Sequence, residues 1–461
     1  MEEFLGYHSE WNLGSPGGWD YQRMTQELGK RCWERIQSRK ALPLELDFDH
    51  PLLNPMNGFV SMLLRAHEHR FGRQSPFILL VAEEETLDKV VENQNLVKTL
   101  NRMDGVTSAL AAPHQVEISD GQITFHGDGV TGIFMDFNTD TLMRLHKKHD
   151  LTPIVEAIKQ GILVNPRGME AVNAKGIFEV VTGPCRTLLS SSTVERTPWT
   201  RRFGHRATTG PDGSVIRDLV EWARVHQSEV VLKPEHGYSG YGVHVGPLEE
   251  NWDNAIEEAL TQGEYIVQAF IPLGLWAEEQ PWVDREARRM IIKRWQTDFR
   301  CLITDQGLIG FVGRFGGVPT NVGSGGGVQP IALLKSPVRI KEATDSLNEA
   351  IYHLGYEVGQ ELREEMDREA VALGLTYLLG PIMTALRPRL ITDGQLRALQ
   401  HYSSNLWSDC MVLEKVWRKG ELKEYFPVSP EIEEIFRFQP WEGSPALMAS
   451  DGLLSFGAHI G

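Results

Sequence analysis

Residues 229 to 246 read Glu-Val-Val-Leu-Lys-Pro-Glu-His-Gly-Tyr-Ser-Gly-Tyr-Gly-Val-His-Val-Gly, and this stretch narrows the possible folds more than any other. An apolar run, Val230 to Leu232, ends on Lys233-Pro234. A loop holding Gly237, Ser239, Gly240 and Gly242 follows, and Val243 and Val245 restart a strand-like alternation. Two strands joined by a glycine loop, with a lysine on the first, can fold backbone N–H groups over phosphates. Glycine is needed there because the backbone must approach the ligand closely and take up positive φ. The lysine supplies a point charge for phosphate oxygens. No helix follows the glycines, which excludes a Walker loop and a Rossmann fingerprint. A glycine-rich hairpin turn beside a solvated lysine has the same pattern, so this segment alone leaves both readings open.

Downstream, Tyr265-Ile-Val-Gln268-Ala-Phe270-Ile-Pro272 is a short apolar strand leading into a hinge, where a purine can stack and bond to backbone. Asp298-Phe-Arg300-Cys-Leu-Ile303 alternates, so Asp298 and Arg300 share one face and Phe299 and Cys301 the other. Asp305-Gln-Gly307 is a turn signal joining it to Leu308-Ile-Gly-Phe-Val312, which predicts a β-hairpin. Arg314 follows, and then Asn321 ahead of Gly325-Gly-Gly327. The order of lysine strand, glycine loop, hinge strand, Asp-x-Arg hairpin, arginine and Asn before glycines resembles the ATP-grasp ligases. Within them the chain looks most like the circularly permuted, glutathionylspermidine-synthase-like branch, over roughly residues 75 to 335.

That resemblance implies an α/β (α+β) chain: an ATP-grasp fold, a preceding α/β domain of the pre-ATP-grasp kind, and a mostly helical C-terminal region. It implies ATP and Mg²⁺ as cofactors, and a small-molecule carboxylate and an amine joined as an amide through an acyl phosphate. Lys233, Gly237, Ser239, Gly240, Gly242, Gln268, Phe270 and Asn321 become nucleotide-binding candidates, and Arg300 and Arg314 the catalytic pair. A lysine at a helix start gives the family a second phosphate contact; Lys175, in Asn173-Ala-Lys175, takes that place here, or is one exposed lysine.

Magnesium takes oxygen ligands, usually one or two carboxylates with phosphates and water. In the resembling enzymes these come from an Asp and a Glu-x-Asn on one strand, where i and i+2 face the same side. The sequence has Glu10-Trp-Asn12 near its start, followed by Pro16-Gly17-Gly18, as in the permuted branch. Glu10 and Asn12 are the metal candidates, with an ordinary N-terminal turn as the alternative. The partner Asp on the preceding strand has no counterpart, because only nine residues precede Glu10. The end of the chain, from Ser450-Asp451-Gly to Gly461, stops where such a family's leading domain would approach that strand. The expectation is a chain either cut or permuted at an unusual point, with Gly461 finishing near Met1. A catalytically silent nucleotide-binding relative is the rival expectation, and the missing Asp favours it.

The remaining chain sets the frame. Alternating strands and helices between Pro76 and Lys148, with a hairpin around Asp120-Gly121, argue for a largely parallel sheet. The predicted divisions are 1–72 (the Glu-x-Asn strand plus helices), 73–170 (the α/β domain), 171–335 (the nucleotide lobe) and 336–461 (mostly helical, with a capping box at Thr392-Asp-Gly-Gln395 and no chemistry over 338–430). A net charge of −16 without a basic block excludes binding driven by phosphate neutralisation of nucleic acid. No apolar run reaches a membrane span, and no signal peptide is readable. Cys32, Cys185, Cys301 and Cys410 lack metal or redox spacing, so a reducing cytoplasm is expected. His67 and His69, and His146 and His149, lack a third ligand and are set aside as metal sites.

Overall fold

The computed structural model describes residues 6–72, 74–236, 242–318, 320, 322–377, 380–425 and 428–453. Its fold is mixed α/β, and a largely antiparallel seven-stranded sheet runs through the middle. Across that sheet lie Tyr7–Leu13, Met448–Leu453, Arg289–Thr304, Gly307–Gly316, Gly327–Gln329 and Met383–Thr384, with Ala277–Asp284 paired to the outer half of Arg289–Thr304. The hairpin predicted from Asp298 to Val312 is there, extended at both ends. The strand at the start of the chain pairs with the last described strand, which in turn pairs with Arg289–Thr304. The first and last described strands are thus neighbours; the expectation that Gly461 finishes near Met1 falls outside the described residues.

Register decides which side chains meet. Glu10 stands opposite Asp451, Asp451 opposite Arg300, and Arg300 opposite Val312. A cross-strand row shares one face of a sheet, so the three charged side chains project together. Asp298, two residues before Arg300, shares that face and stands opposite Arg314. The other face is apolar: Phe299, Cys301, Ile303, Phe311 and Met448 are buried against the long helix Asp393–Arg418. That helix opens with the predicted box, since Gln395 N–H donates to Thr392 Oγ1 at 3.1 Å and Thr392 N–H to Gln395 Oε1 at 2.9 Å.

A bulge at Ser9 makes the first strand fit. The register shifts between His8 and Glu10, and one extra residue reverses the facing of everything after it. His8 lies in the helix-side core, where its ring nitrogens bond Tyr402 Oη at 2.7 Å and Thr197 Oγ1 at 2.6 Å. Burial, then Arg196, push that imidazole down to about 3, so it is neutral. Trp11 joins the same core, edge-on to Phe178. Without the bulge Glu10 would follow His8 into this core; with it, Glu10 and Asn12 turn to the opposite face.

Two smaller sheets flank the first. Thr200–Arg202, Tyr265–Ala269, Val230–Pro234 and His244–Val245 form an antiparallel sheet, covered by the helices Leu219–Val225 and Trp252–Gln262. Thr107–Ala111, Phe77–Val81 and Gly132–Met135 form a parallel sheet in that spatial order, linked through the helix Val91–Leu100. The predicted turn at Asp120-Gly121 has φ of 51° and 79° at its two positions. The C-terminal region is less uniformly helical than expected: Met383–Thr384 and Met448–Leu453 are strands of the central sheet. Among the described residues no helix is long and apolar enough to cross a membrane.

Candidate functional site

The charged face of the central sheet, the loop Ser15-Pro16-Gly17-Gly18 and the carboxyl ends of the parallel strands enclose a cavity of about 350 Å³. Glu10, Asn12, Arg300 and Arg314 all line it. Arg300 is held by Asp451, donating from Nε at 2.7 Å and from Nη2 at 2.6 Å, and by the Gly17 carbonyl at 3.0 Å from Nη1. Arg314 makes the same two-pronged contact with Asp298, at 2.7 and 2.6 Å, and reaches Asp451 at 3.4 Å. Asn12 donates from Nδ2 to Asp451 Oδ2 at 3.2 Å. Asp451 is therefore the hub of the cluster. Burial opposes its charge, but Arg300 and Arg314 together outweigh burial and hold its carboxyl well below the usual range.

Asp451 corrects the sequence reading. No Asp precedes Glu10 along the chain, yet the strand beside it supplies one in direct register. Its signal was Ser450-Asp-Gly close to the C-terminus, a tripeptide with no partner until the two ends of the chain pair. A second correction concerns residues 338 to 430, read as carrying no chemistry: Tyr377 and Ile382 line the same cavity.

On the flanking antiparallel sheet, Lys233 is half-buried on the face opposite the core residue Leu232, and Nζ donates to Gln268 Oε1 at 2.6 Å. Gln268 in turn donates to Thr200 Oγ1 at 3.0 Å. Burial, opposed by Glu10 and reinforced by Lys175, pushes the Lys233 ammonium down to about 8. Lys175 does not itself open a helix; it lies two residues before Ile177–Val181, with its ammonium 3.2 Å from Glu10 Oε2. Both lysines and Glu10 are thus within electrostatic reach of one another. Gly242 has a φ of +71°, and a Cβ there would stand 2.8 Å from Tyr265 Oη and 2.9 Å from Pro234 Cγ. Phe270 is half-buried and its N–H donates to the Glu229 carbonyl at 2.8 Å, which closes the sheet edge and takes that donor from any purine. Gly237, Ser239, Gly240 and Asn321 lie outside the described residues.

The far wall of the cavity went unnoticed in the sequence. Glu92, at the start of the helix Val91–Leu100, accepts from Gly18 N–H at 3.0 Å and from Asp20 N–H at 3.3 Å. Burial dominates its environment and pushes it up to about 8. Asp136, just past the strand Gly132–Met135, accepts from Asn93 Nδ2 at 2.6 Å and is pushed up to about 6, again by burial. The Gly17–Gly18 peptide bridges the two walls, its carbonyl on Arg300 and its N–H on Glu92. Side chains are excluded there: a Cβ would fall 2.7 Å from Glu92 Oε1 at Gly17, and 2.9 Å from Val312 Cγ2 at Gly18, where φ is +108°.

Among the described residues no group of three or more His, Cys, Asp or Glu side chains could hold a metal ion. On the central-sheet side the oxygen donors are the Glu10 carboxylate and the Asn12 amide, with Asp451 behind them in register. His67, set aside earlier, is buried with Nε2 3.0 Å from Thr131 Oγ1.

No protein-family model matches the sequence, and no curated protein does. Among solved structures, the chain is similar to a glutathione synthetase-like effector from Globodera pallida at 11% identity and a TM-score of 0.42, over 67% of this chain and 63% of that one. It is also similar to a D-cycloserine synthetase at 12% identity and a TM-score of 0.29, over 72% of this chain and 98% of that one. The chain thus spans less than two thirds of the length of the first.

Proposed function

We propose that the chain is an ATP-dependent carboxylate–amine ligase of the ATP-grasp kind. One observation carries the proposal: Glu10, which lines the cleft with Asn12, Arg300 and Arg314, is 3.2 Å from the half-buried Lys175 ammonium, and Lys233 lies within electrostatic reach of both. In this reading Lys233 and Lys175 hold ATP phosphates as charge-assisted donors, and Lys175 exchanges Glu10 for phosphate oxygen when nucleotide binds. The γ-phosphoryl group moves to the substrate carboxylate, giving an acyl phosphate and ADP. The amine then attacks the acyl carbon, the C–N bond forms, phosphate leaves with the C–O electron pair, and the amine gives up a proton.

Glu10, Asn12 and Asp451 fit Mg²⁺, since the set offers only hard oxygen donors. An ion held by these residues would offset negative charge on the phosphoryl group as it transfers. Arg300 and Arg314 have their guanidinium planes fixed by Asp451 and Asp298, so they meet charge developing on the acyl phosphate without reorganising.

A second reading, a catalytically silent nucleotide binder, is favoured by the internal pairing of Arg300, Arg314 and Lys175. Purified protein is assayed for ADP release across panels of carboxylates and amines. Release that requires both substrates supports the ligase. Nucleotide binding without turnover across the panels makes the silent reading the better one.

A further inference from the structure

Glu92 and Asp136 form the end of the cavity opposite the Arg300–Asp451 row, and neither has a cationic partner among the described residues. Neighbouring acids are accounted for differently: Glu83 is paired with Arg144 at 2.5 Å, and Asp20 with Arg23 at 2.5 Å. Glu92 is buried and Asp136 half-buried, and neighbouring carboxylates so placed are costly unless something offsets them. Their placement is also that of a binding crevice. The parallel strands run in the order Thr107–Ala111, Phe77–Val81, Gly132–Met135, so the chain passes from Phe77–Val81 to one side and then crosses to the other. Asp136 and Glu83 follow the carboxyl ends of the two strands flanking that switch point, where open α/β sheets bind ligands.

A further, independent observation points to a ligand. The Tyr21 side chain lines the cavity and is 6% exposed, and its hydroxyl is buried with no hydrogen-bond partner. A buried hydroxyl left unpaired is uncommon and costly. The Tyr377 ring lies edge-on to it with centroids 6.2 Å apart, and Val90, Val312 and Ile382 complete an apolar lining. A lone metal ion has no use for such a lining; an organic cation does, through its methylene groups and its attraction to aromatic faces.

We propose that this end of the cleft is the amine subsite, holding a primary ammonium between Glu92 and Asp136 with the Tyr21 hydroxyl as a further acceptor. The assignment rests on the ligase reading for its role and deepens it by naming the substrate class. The amine is a cation with no carboxylate of its own beside the nitrogen, because Glu92 and Asp136 at this end of the cavity would repel one. In the ligase reading the acyl group is held at the other end of the cavity, by Arg300 and Arg314.

The test is calorimetric titration of the full chain with four probes of matched length: n-butylamine, 1,4-diaminobutane, 4-aminobutanoate and n-butanol. Saturable binding of the two amines is expected, with the zwitterion at least about tenfold weaker and the alcohol silent. Asp136→Asn and Tyr21→Phe should each weaken amine binding by about tenfold while ATP affinity stays at the wild-type value. Tyr21→Phe keeps the packing, so a loss confined to amine binding is not a folding effect. Absence of amine binding to a wild-type chain that binds ATP overturns the subsite and leaves the ligase reading standing. Equal binding of alcohol and amine overturns it as well, as does loss of Mg²⁺ binding rather than amine binding in Asp136→Asn. Amine binding in a chain that never binds ATP sinks the ligase reading and leaves the cation subsite intact.

Discussion

Replacing Asp451 by Asn tests the hub of the site through stability. The carboxylate accepts from Arg300 at 2.7 and 2.6 Å and from Arg314 at 3.4 Å, and it is 2% exposed. An amide keeps one acceptor but turns its NH₂ toward guanidinium donors, so the half-buried Arg300 is left with one poor contact and the Gly17 carbonyl. Breaking a buried pair by removing one partner costs roughly 3–5 kcal/mol. Arg314 keeps both bonds to Asp298, which places the expected loss near the lower end, about 3 kcal/mol. Urea unfolding followed by tryptophan fluorescence reads it, with the slope unchanged and the midpoint lowered. The double change Arg300→Met with Asp451→Asn removes both charges, and a coupling energy of roughly 1–3 kcal/mol should separate it from the sum of the singles. The acid limb adds a sign. Because Arg300 and Arg314 outweigh burial and depress the Asp451 carboxyl, its stabilisation is present above the ordinary carboxylate range and is lost as pH falls through the depressed value. Asp451→Asn should therefore flatten the acid destabilisation. A variant within about 1 kcal/mol of wild type, or strictly additive singles, would refute the hub.

Other expectations follow from the same cluster. Lys233→Ala should weaken ATP binding by roughly 1.5–3 kcal/mol in a folded chain, read by calorimetry. Since phosphate favours the charged ammonium and the free group is pushed down to about 8, ATP binding takes up a proton above that pH and affinity should decline as pH rises beyond it. For folding the same group acts in the other sense: the unfolded lysine, at 10.5, binds more protons between about 8 and 10.5, so its contribution to stability rises with pH there. Arg314→Met should lower kcat far more than it changes ATP affinity; a rise in KM for ATP with kcat intact would make it a ground-state contact. Gly18→Ala should cost roughly 1–3 kcal/mol in the urea assay, from positive φ and the 2.9 Å approach to Val312; an unchanged midpoint would show that the loop shifts freely.

The elements that were legible in the sequence are those fixed by local pattern. The Phe77–Val81 strand, the Asp120-Gly121 hairpin turn, the Asp298–Val312 hairpin and the Thr392 capping box each follow from periodicity or turn chemistry within about a dozen residues. The shared face of Asp298 and Arg300 was readable for the same reason. What is set by long-range register was not. Glu92 looked like any surface glutamate at a helix start, and only the return of the Gly17–Gly18 loop, 74 residues away in sequence, buries it.

The first strand shows why a motif alone does not make a site. Alternation counted from His8 would put Glu10 beside it, in the apolar core with Tyr402 and Phe178. A carboxylate forced there without a cation would be protonated or would unfold the strand. The bulge at Ser9 converts that conflict into a division of labour: His8 and Trp11 go to the core, and Glu10 and Asn12 go to the cleft. The two partners of the cleft residues then come from the opposite end of the chain, through Asp451, and from the middle, through Arg300. Arg314 and Asp298 compensate each other within one hairpin, but Arg300 and Asp451 do so only when segments 151 residues apart pair in register, and Glu10 joins them only through the first strand. Deleting Ser9 should restore plain alternation and swing Glu10 into the core. The expected result is loss of the folded state, or, if the strand slips by one residue to rescue Glu10, burial of the wrong face and exposure of Trp11. Tryptophan fluorescence and urea midpoint distinguish these from the outcome that would undo the argument, a deletion variant with native stability and an unshifted Trp11 environment.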